Sequence, residues 1–441
     1  MKALPDSQTE EVPGAPPPPI RKSALAWDRI WMGLGTILYQ SEEVGFQAGP
    51  VPTSLVRWLG GDDRHLGVLG SFATLGNLGQ LLGTPLLRRT DSYRRAMVLT
   101  LLLGAAFCTA LAAMVCLGQV TALRSLILPL FLALYLMFAP VTGLQSNIEH
   151  SWIGDLVPSG LLGWFTKIKW TLGVLGFLIF SLGIARFSEV CPGVVGFAAI
   201  FTTFAASFAV AAVAVYSRVT DTRPHLVRYL GRGIERPNYR SPIFWWLVVQ
   251  GLLWTVGRNI GFAFMSAYLI ERFHYSLTKI ALLVSLQQAS SMVVIMLIGN
   301  HTDRWGARRP LMCIMSGVAL SMALWILSAY WGIGCIIAYY ILNGAAGQTL
   351  TMLGNNYSLE IFPAKGRAAY IALSRMIGGV AGFGLVLGSG WLVHGLRDFQ
   401  ICVAGQILGR YHAAFAAGMA IALLSQIPFF IIGDRKVEVL Q

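Results

Sequence analysis

The feature that most constrains this chain is a series of long apolar stretches separated by short polar segments. A bilayer core about 30 Å thick requires roughly 20 mostly apolar residues per helix. Twelve stretches of this kind predict an all-α polytopic membrane protein with twelve transmembrane helices. They lie near residues 27–49, 65–87, 96–116, 126–147, 165–186, 194–217, 243–270, 277–300, 310–330, 333–354, 370–393 and 412–433.

The composition agrees with a membrane protein and excludes several other classes. Hydrophobic residues make up 55% of the chain and charged residues 12%, and the mean hydropathy is +0.63, well above soluble globular values. The net charge of +13 is distributed between the apolar stretches, so nucleic-acid binding is not predicted. The six cysteines have no CxxC or metal-ligand spacing, so neither a metal site nor a disulfide framework is predicted.

A polar segment at residues 218–241 is the longest charged interval and divides the chain into two halves. The predicted domains are six-helix bundles at 26–217 and 242–434, joined by this cytosolic linker. Residues 1–25 contain a proline run and no apolar signal region, so they are expected to be a disordered cytosolic tail. A second short cytosolic tail is expected at 435–441.

The distribution of Lys and Arg predicts the orientation of the helices in the membrane. With both termini inside, the tails, the inner loops, the linker and the inner ends of the stretches hold 23 of the 33 basic residues, whereas the outer side holds eight. Cytosolic loops retain positive charge. The protein is therefore expected in the cell inner (cytoplasmic) membrane with both termini in the cytosol.

The two halves also resemble each other in sequence. Three pairs of segments occur in the same order in each half: 42–46 with 258–262, 94–95 with 308–309, and 155–158 with 360–363. Transporters are often built from such repeats, with a substrate site between them.

One inner loop carries a family motif. Residues 299–309 read Gly-Asn-His-Thr-Asp-Arg-Trp-Gly-Ala-Arg-Arg, which resembles the G-x-x-x-D-R-x-G-R-R signature of the major facilitator superfamily (MFS). Segments 152–158 and 360–367 are similar to that family's inner loops before the fifth and eleventh helices. The equivalent first-half segment, 85–95, lacks the glycines and the aligned aspartate, which is unlike the drug-exporter branches. The resemblance implies two pseudo-symmetric six-helix bundles that form a carrier.

The resemblance also implies that this loop latches the cytosolic ends of the bundles. Gly299 and Gly306 permit tight turns, and Asp303 can cap a helix or form an ion pair. The neighbouring arginines fit equally well as positive-inside anchors. The predicted gating residues are Asp155, Gly299, Asp303, Arg304, Gly306, Arg308, Arg309, Glu360 and Arg375.

Charged residues within apolar stretches are costly and usually functional. Arg258 lies near the middle of the seventh stretch, and Glu42 and Glu43 lie at the equivalent depth of the first. We hypothesise that one glutamate, with Glu42 first, faces Arg258 across a central cavity and takes up a proton. An anionic substrate would use Arg258 directly. A static ion pair or a solvent-wetted glutamate pair fits the same positions.

Amide and aromatic side chains near this pair are candidate substrate contacts, although such residues also form interfacial belts and link helices. A Gln-Gln pair marks the family's sugar branch on the seventh helix, whereas here the pair falls on the eighth. The predicted substrate contacts are Tyr39, Trp254, Asn259, Gln287, Gln288, Asn343 and Gln348, with Gln40, Asn77, Gln80, Gln250, Tyr339 and Tyr340 as further candidates.

Two more groups of ionisable residues lie near the inner ends of the stretches. Glu149 and His150 are predicted to face cytosolic water, with a second protonatable site as the alternative. Arg375 is predicted to pair with Glu360 or a helix end.

The sequence therefore favours a secondary active transporter for a small polar solute, such as a sugar or organic anion. It is expected to use a proton gradient, to need no cofactor, to be surrounded by membrane lipids and to act as a monomer. The alternatives are a flippase for a lipid or amphiphile and a non-transporting assembly or sensor protein. An enzyme is not predicted, because no catalytic constellation, phosphate-binding loop or metal cluster is present in the sequence.

Overall fold

The computed structural model describes residues 22–39, 50–117, 124–157, 162–191, 193–221, 239–298, 308–362 and 367–433. Nearly all of these residues are helical. The α-helices are α1 Lys22–Tyr39, α2 Pro50–Trp58, α3 Asp63–Gly70, α4 Phe72–Gly79, α5 Gly83–Thr90, α6 Tyr93–Leu117, α7 Arg124–Leu156, α8 Leu162–Val190, α9 Val194–Val210, α10 Pro242–Phe273, α11 Leu277–Ile298, α12 Arg308–Ser321, α13 Ala323–Trp331, α14 Ile333–Ile361, α15 Arg367–Gly395, α16 Arg410–Leu424 and α17 Ile427–Ile432. A 3₁₀ turn, Gln80–Leu82, joins α4 to α5, and π and 3₁₀ turns extend α9 to Arg218.

Within the described residues, eight helical segments are long and apolar enough to cross a membrane, and two shorter apolar stretches lie at 171–187 and 333–347. This confirms the predicted all-helical membrane fold, although the count of twelve helices is not confirmed in full. The predicted boundaries are close to the observed ones, as in α10, which spans Pro242–Phe273 against a predicted 243–270. The proposed division at 218–241 stays a prediction, and most of that segment lies outside the described residues.

The first predicted stretch, 27–49, is described only as far as Tyr39, because residues 40–49 lie outside the described residues. After α1, helix begins again at Pro50, a residue suited to the first turn of a helix, and α2 continues to Trp58. Its side chains Val51, Leu55 and Val56 are buried in the core. Helix α2 therefore belongs to the packed bundle, although it lies in a segment that was predicted to be an outer loop.

A two-stranded hairpin follows α15 and was not predicted. Strands β1 (Gln400–Val403) and β2 (Gln406–Gly409) pair antiparallel. Their connection uses Ala404 and Gly405, both with positive φ, as the favoured two-residue hairpin turns require. The Tyr330 hydroxyl donates to the Val403 carbonyl at 2.8 Å. We call this side of the helical bundle the hairpin end and the opposite side, where α9 ends and α10 begins, the linker end.

Glycines allow helices to cross in close contact at equivalent places in the two halves. A Cβ atom on Gly143 of α7 would overlap the carbonyl oxygen of Gly76 on α4, and one on Gly344 of α14 would overlap the carbonyl oxygen of Gln287 on α11. In lipid, small residues promote helix association because they permit tight packing. These crossings set the position of α7 relative to α4 and the position of α14 relative to α11.

Among the described residues, the apolar core is shared between the halves only toward the hairpin end. One cluster joins first-half residues such as Phe138 to second-half residues such as Phe264 and Trp325. A second cluster, which includes Phe244 and Phe429, is confined to the linker end of the second half. The halves are therefore packed together at the hairpin end and separate toward the linker end.

The glycine crossing predicts a specific loss of stability. Gly143→Ala is expected to lower the melting temperature of the detergent-solubilised protein, because overpacking a close contact typically costs about 1 to 3 kcal/mol. Gly317→Ala is the matched control, since a Cβ there meets no atom within 4 Å. Equal melting temperatures for the two variants would contradict the crossing.

Candidate functional site

A cavity of about 770 Å³ lies between the halves and opens toward the linker end. Its wall combines amides, hydroxyls, one arginine and apolar side chains. The lining residues are Asn77, Gln80, Ser146, Asn147, His150, Ser151, Leu247, Gln250, Gly251, Trp254, Thr255, Leu311, Met315, Leu350, Gly354, Tyr357, Ser358, Phe362, Ser374 and Arg375. The size is within the usual range for small-molecule sites, about 300 to 1,000 Å³.

Helix α7 contributes the most continuous polar surface of the cavity. Ser146, Asn147, His150 and Ser151 all line it, and their spacing places them on one helical face. The Asn147 side-chain amide donates to the Gln80 carbonyl at 3.0 Å, which ties α7 to the turn after α4. Most of this face was not predicted, although its periodicity was available in the sequence.

Arg375 of α15 faces the cavity and joins the two halves across it. Its Nη1 donates to the Gln80 side-chain oxygen at 2.7 Å, and the residue as a whole is exposed. The prediction placed Arg375 among the gating residues and paired it with Glu360 or a helix end. The structure places Arg375 in the cavity wall, against an amide of the first half. The Glu360 side chain lies outside the described residues, so the pairing with Glu360 stays a prediction.

Glu149 does not face water, which corrects the prediction. Its carboxylate lies 2.6 Å from the Lys169 ammonium of α8 and accepts a hydrogen bond from the Tyr216 hydroxyl at 2.7 Å. The Glu149 and Lys169 side chains are each only 4% exposed. The predicted helix ended at residue 147, whereas α7 continues to Leu156, so Glu149 lies well inside the helix. His150, its neighbour, does line the cavity.

The hairpin end is closed by a charged cluster that we call the hairpin-end network: Arg57, Asp63, Glu271, Arg410 and Tyr411. Arg57 contacts Asp63 and Glu271, each at 2.6 Å. Arg410 contacts Asp63 at 3.1 Å and Glu271 at 2.9 Å, and the Tyr411 hydroxyl donates to Asp63 at 3.1 Å. Two arginines and two carboxylates balance in charge. The network links α2 and α3 of the first half to α10 and α16 of the second.

A second cluster surrounds Asp62 at the start of α3. The Asp62 carboxylate caps the helix by accepting from the Arg64 backbone N–H at 3.1 Å, and it lies 2.7 Å from His65 and 3.4 Å from His394 of α15. Arg64 lies 5.2 Å from the centre of the Trp391 ring. Burial acts to raise the pKa of Asp62, but hydrogen bonds from Arg64 and His65 dominate and hold that pKa well below its usual value.

Of the predicted substrate contacts, Trp254 lines the cavity, together with the further candidates Asn77, Gln80 and Gln250. The other described candidates lie outside the lining: Asn259, Gln287, Gln288, Tyr339, Tyr340 and Asn343. Asn343 is buried.

Arg258 lies at the middle of α10, one helical turn beyond Trp254 toward the hairpin end. Residues four apart lie on one helix face, so Arg258 lies on the same face of α10 as the cavity-lining Trp254, one turn farther from the linker end. It lies close enough to Tyr339 for its charge to act on the hydroxyl. Glu42 and Glu43, its proposed partners, lie outside the described residues, so their pairing stays a hypothesis.

The predicted gating residues are only partly described. Asp155 accepts a hydrogen bond from the Tyr93 hydroxyl at 2.6 Å, and Arg308 donates to the Phe429 carbonyl at 2.6 Å, so each has a contact within its own half. Arg309 is exposed. Outside the description lie the loop residues Gly299, Asp303, Arg304 and Gly306 and the side chains of Tyr39, Gln348 and Glu360.

No group of three His, Cys, Asp or Glu side chains suited to hold a metal ion is found in the described part of the chain.

The buried pair of Glu149 and Lys169 predicts strong coupling between two substitutions. Glu149→Gln alone removes the carboxylate that faces the buried Lys169 ammonium and is expected to cost about 3 to 5 kcal/mol of stability. Adding Lys169→Met removes that charge and should restore much of the melting temperature lost by Glu149→Gln. Additive losses in a thermal-unfolding double-mutant cycle would contradict this account.

The Asp62 cap predicts a defined pH dependence. Asp62→Asn keeps a capping side chain but replaces charge-assisted hydrogen bonds from Arg64 and His65 with neutral ones, and it is expected to cost about 1 kcal/mol of stability. Because the folded-state pKa of Asp62 is depressed, its stabilisation is complete above the ordinary pKa of about 3.9 and disappears only as pH falls through the lower folded value.

The melting-temperature difference between wild type and Asp62→Asn should therefore persist from about pH 8 to about pH 5 and disappear only below about pH 4. Asp398→Asn is the control, since that carboxylate is 89% exposed. A difference that vanishes already above pH 5 would show that another group controls the cluster.

Comparisons with known proteins agree with this architecture. The family model described as the Major Facilitator Superfamily matches residues 31–384 and 243–439. A comparison with curated protein sequences gives no match.

Several solved structures share the fold at low sequence identity. The xylose transporter XylE from E. coli, in a partially occluded inward-open conformation, has a TM-score of 0.67 and 13% identity, covering 92% of this chain and 98% of its own. The nucleoside transporter NupG has a TM-score of 0.67 and 15% identity, covering 93% and 100%. A POT family transporter in complex with 5-aminolevulinic acid has a TM-score of 0.62 and 15% identity, covering 93% and 95%. Since the family model matches most of the chain and the observed helices form the same fold, this multi-pass membrane protein belongs to the Major Facilitator Superfamily.

Proposed function

We propose that this protein is a secondary active transporter that moves a small polar solute across the cell inner membrane by alternating access. The observation that carries the proposal is the cavity between the halves, which opens at the linker end while two charged clusters and a shared core join the halves at the hairpin end. A site that communicates with one side at a time is what a carrier built from two rocking halves requires.

The distribution of basic residues supports placing the linker end in the cytosol. In that orientation the cavity faces inward, with both termini on the same side. The gating residues around Asp303 would then lie at the end that must close when the hairpin end opens. Their role as a latch is part of the proposal.

The polar wall favours a water-soluble solute over a lipid. Amides at Asn77, Asn147 and Gln250 and the guanidinium of Arg375 face the cavity, and each would have to lose water to admit an acyl chain. Covering polar groups with an acyl chain is costly, because the chain offers them no hydrogen bonds. A carrier of this family is also expected to need no resident cofactor and not to act as an enzyme.

Coupling to protons is proposed through Glu42 or Glu43 with Arg258. The position of Arg258, one turn beyond Trp254, is consistent with a charge near the inner end of the cavity. One solved relative of the fold is described as a D-xylose-proton symporter, which supports this energy source by analogy of fold. A monomer is sufficient for the mechanism.

Transport can be tested on purified protein reconstituted in liposomes with a trapped pH dye. Sugars, organic acids, nucleosides and lysolipids would be screened for solute-driven proton flux, and uptake of the active solute would be followed directly. We expect flux with one solute class that is abolished by Glu42→Gln or Glu43→Gln and by Arg258→Ala.

Arg397→Gln is the matched control, because Arg397 lies in an exposed loop where it pairs with Asp398. Solute uptake without proton movement would support the transport function and contradict proton coupling. Movement of a lysolipid, without uptake of any soluble compound, would reject the polar-solute proposal in favour of a flippase. Complete inactivity, with correctly folded protein, would favour the non-transporting alternative.

A further inference from the structure

We propose that the hairpin of β1 and β2 is an interaction surface for lipid, and that it inserts into the headgroup region of the membrane at the hairpin end. The hairpin and the helix ends beside it all belong to the described part of the chain. This inference goes beyond the transport proposal and does not depend on it.

The hairpin carries apolar side chains on both of its faces. Strand pairing places Ile401 opposite Leu408 on one face, and Ile407 lies on the other face, since successive side chains of a strand point to opposite sides. Ile401 is 47% exposed, Val403 44% and Ile407 56%. Residues 400–409 include no charged residue. An antiparallel pair with one face in water alternates apolar and polar side chains, so neither face of this hairpin is suited to bulk water.

The end of a candidate membrane span indicates the level at which the hairpin lies. The apolar segment formed by α12 and α13 ends at Trp331, which is 73% exposed. The Tyr330 hydroxyl donates to the Val403 carbonyl of the hairpin at 2.8 Å. A second exposed tryptophan, Trp391, lies near the end of α15. Tryptophan and tyrosine are enriched where the hydrocarbon meets the headgroups, so the hairpin lies at that boundary.

Backbone hydrogen bonding limits how deeply the hairpin can lie. The sheet has two strands among the described residues, so the outer edge of each strand presents N–H and C=O groups that need other partners. Hydrocarbon offers no such partners, and open sheet edges do not occur in it. The headgroup region supplies water to these edges and still covers apolar side chains. The amides of Gln400 and Gln406, one on each face, suit the same region.

Contacts from both strands hold the hairpin in a fixed position on the second half. The Gly409 backbone N–H donates to Nδ1 of His412 at 3.2 Å, which ties β2 to the first turn of α16. The Tyr330 contact ties β1 to α13. The residue that follows β2 is Arg410, a member of the hairpin-end network. The lipid-binding surface therefore continues directly into the contact between the halves.

Lipid contact can be measured with a fluorescent label on the native Cys402, which is exposed. The labelled full chain would be reconstituted in phosphatidylcholine liposomes and exposed to iodide in water, or to lipids with a nitroxide near the headgroup or near the chain end. Cys116, Cys191 and Cys313 would be replaced by alanine. In two reference proteins the label would be placed elsewhere: at Asp398→Cys, where the native side chain is 89% exposed, and at Cys116 in the last turn of a membrane span.

We expect the headgroup nitroxide to quench the label at position 402 several-fold more strongly than the label at position 398, with the opposite order for iodide. The label at position 116 shows the signal of a site beside lipid. Replacing Ile401, Val403 and Ile407 together by serine should lower lipid quenching at position 402 toward the value at position 398. The control pair Ile401→Leu and Ile407→Leu should keep the wild-type value. Melting temperatures in detergent verify that each variant folds.

Three results would overturn the inference. Iodide quenching at position 402 equal to that at position 398, without lipid quenching, would place the hairpin in water. Protection from both quenchers would show that protein, such as a second copy of the chain paired along the strand edge, covers the hairpin. Stronger quenching by the chain-end nitroxide than by the headgroup nitroxide would contradict the proposed depth. Each result leaves the transport proposal unaffected, because solute uptake tests that proposal separately.

Discussion

Direct contact between helix backbones at the hairpin end determines how the two halves are arranged. A Cβ atom on Gly67 of α3 would lie 2.6 Å from the Cα of Gly390 on α15, so no side chain fits between these helices. The hairpin-end network and the Asp62 cluster lie beside this contact and connect the same pair of halves. Because the helices meet here and diverge away from it, the cavity forms at the other end.

Much of the fold follows from the length and hydropathy of the apolar stretches. Each helix must satisfy its own backbone within lipid, so an apolar stretch of sufficient length leaves few alternatives. This is why α10 begins and ends close to its predicted boundaries. Hydropathy does not predict two features of the fold. Helix α7 continues past residue 147 through polar residues, and the hairpin at 400–409 is too short to give a clear strand pattern.

The candidate site was harder to predict, because its residues come together only through packing. Trp254 and Gln250 could be predicted because an aromatic or amide side chain within an apolar stretch is recognisable without knowing its neighbours in space. The contact between Arg375 and Gln80 joins positions 295 residues apart, which hydropathy cannot reveal. The ion pair of Glu149 and Lys169 was not predicted, because the apolar stretch ends at residue 147 and the residues after it were expected to face cytosolic water.

The uneven distribution of apolar packing has an energetic consequence for a carrier. At the hairpin end, one core runs through both halves, whereas the linker-end core of the second half is separate. Opening the hairpin end would disrupt packing across the halves and break two charged clusters, while closing the linker end would create new contacts. In the carrier that we propose, reorientation would therefore have to offset the packing and the ion pairs lost at the hairpin end, and tighter binding of solute to one conformation can supply such free energy.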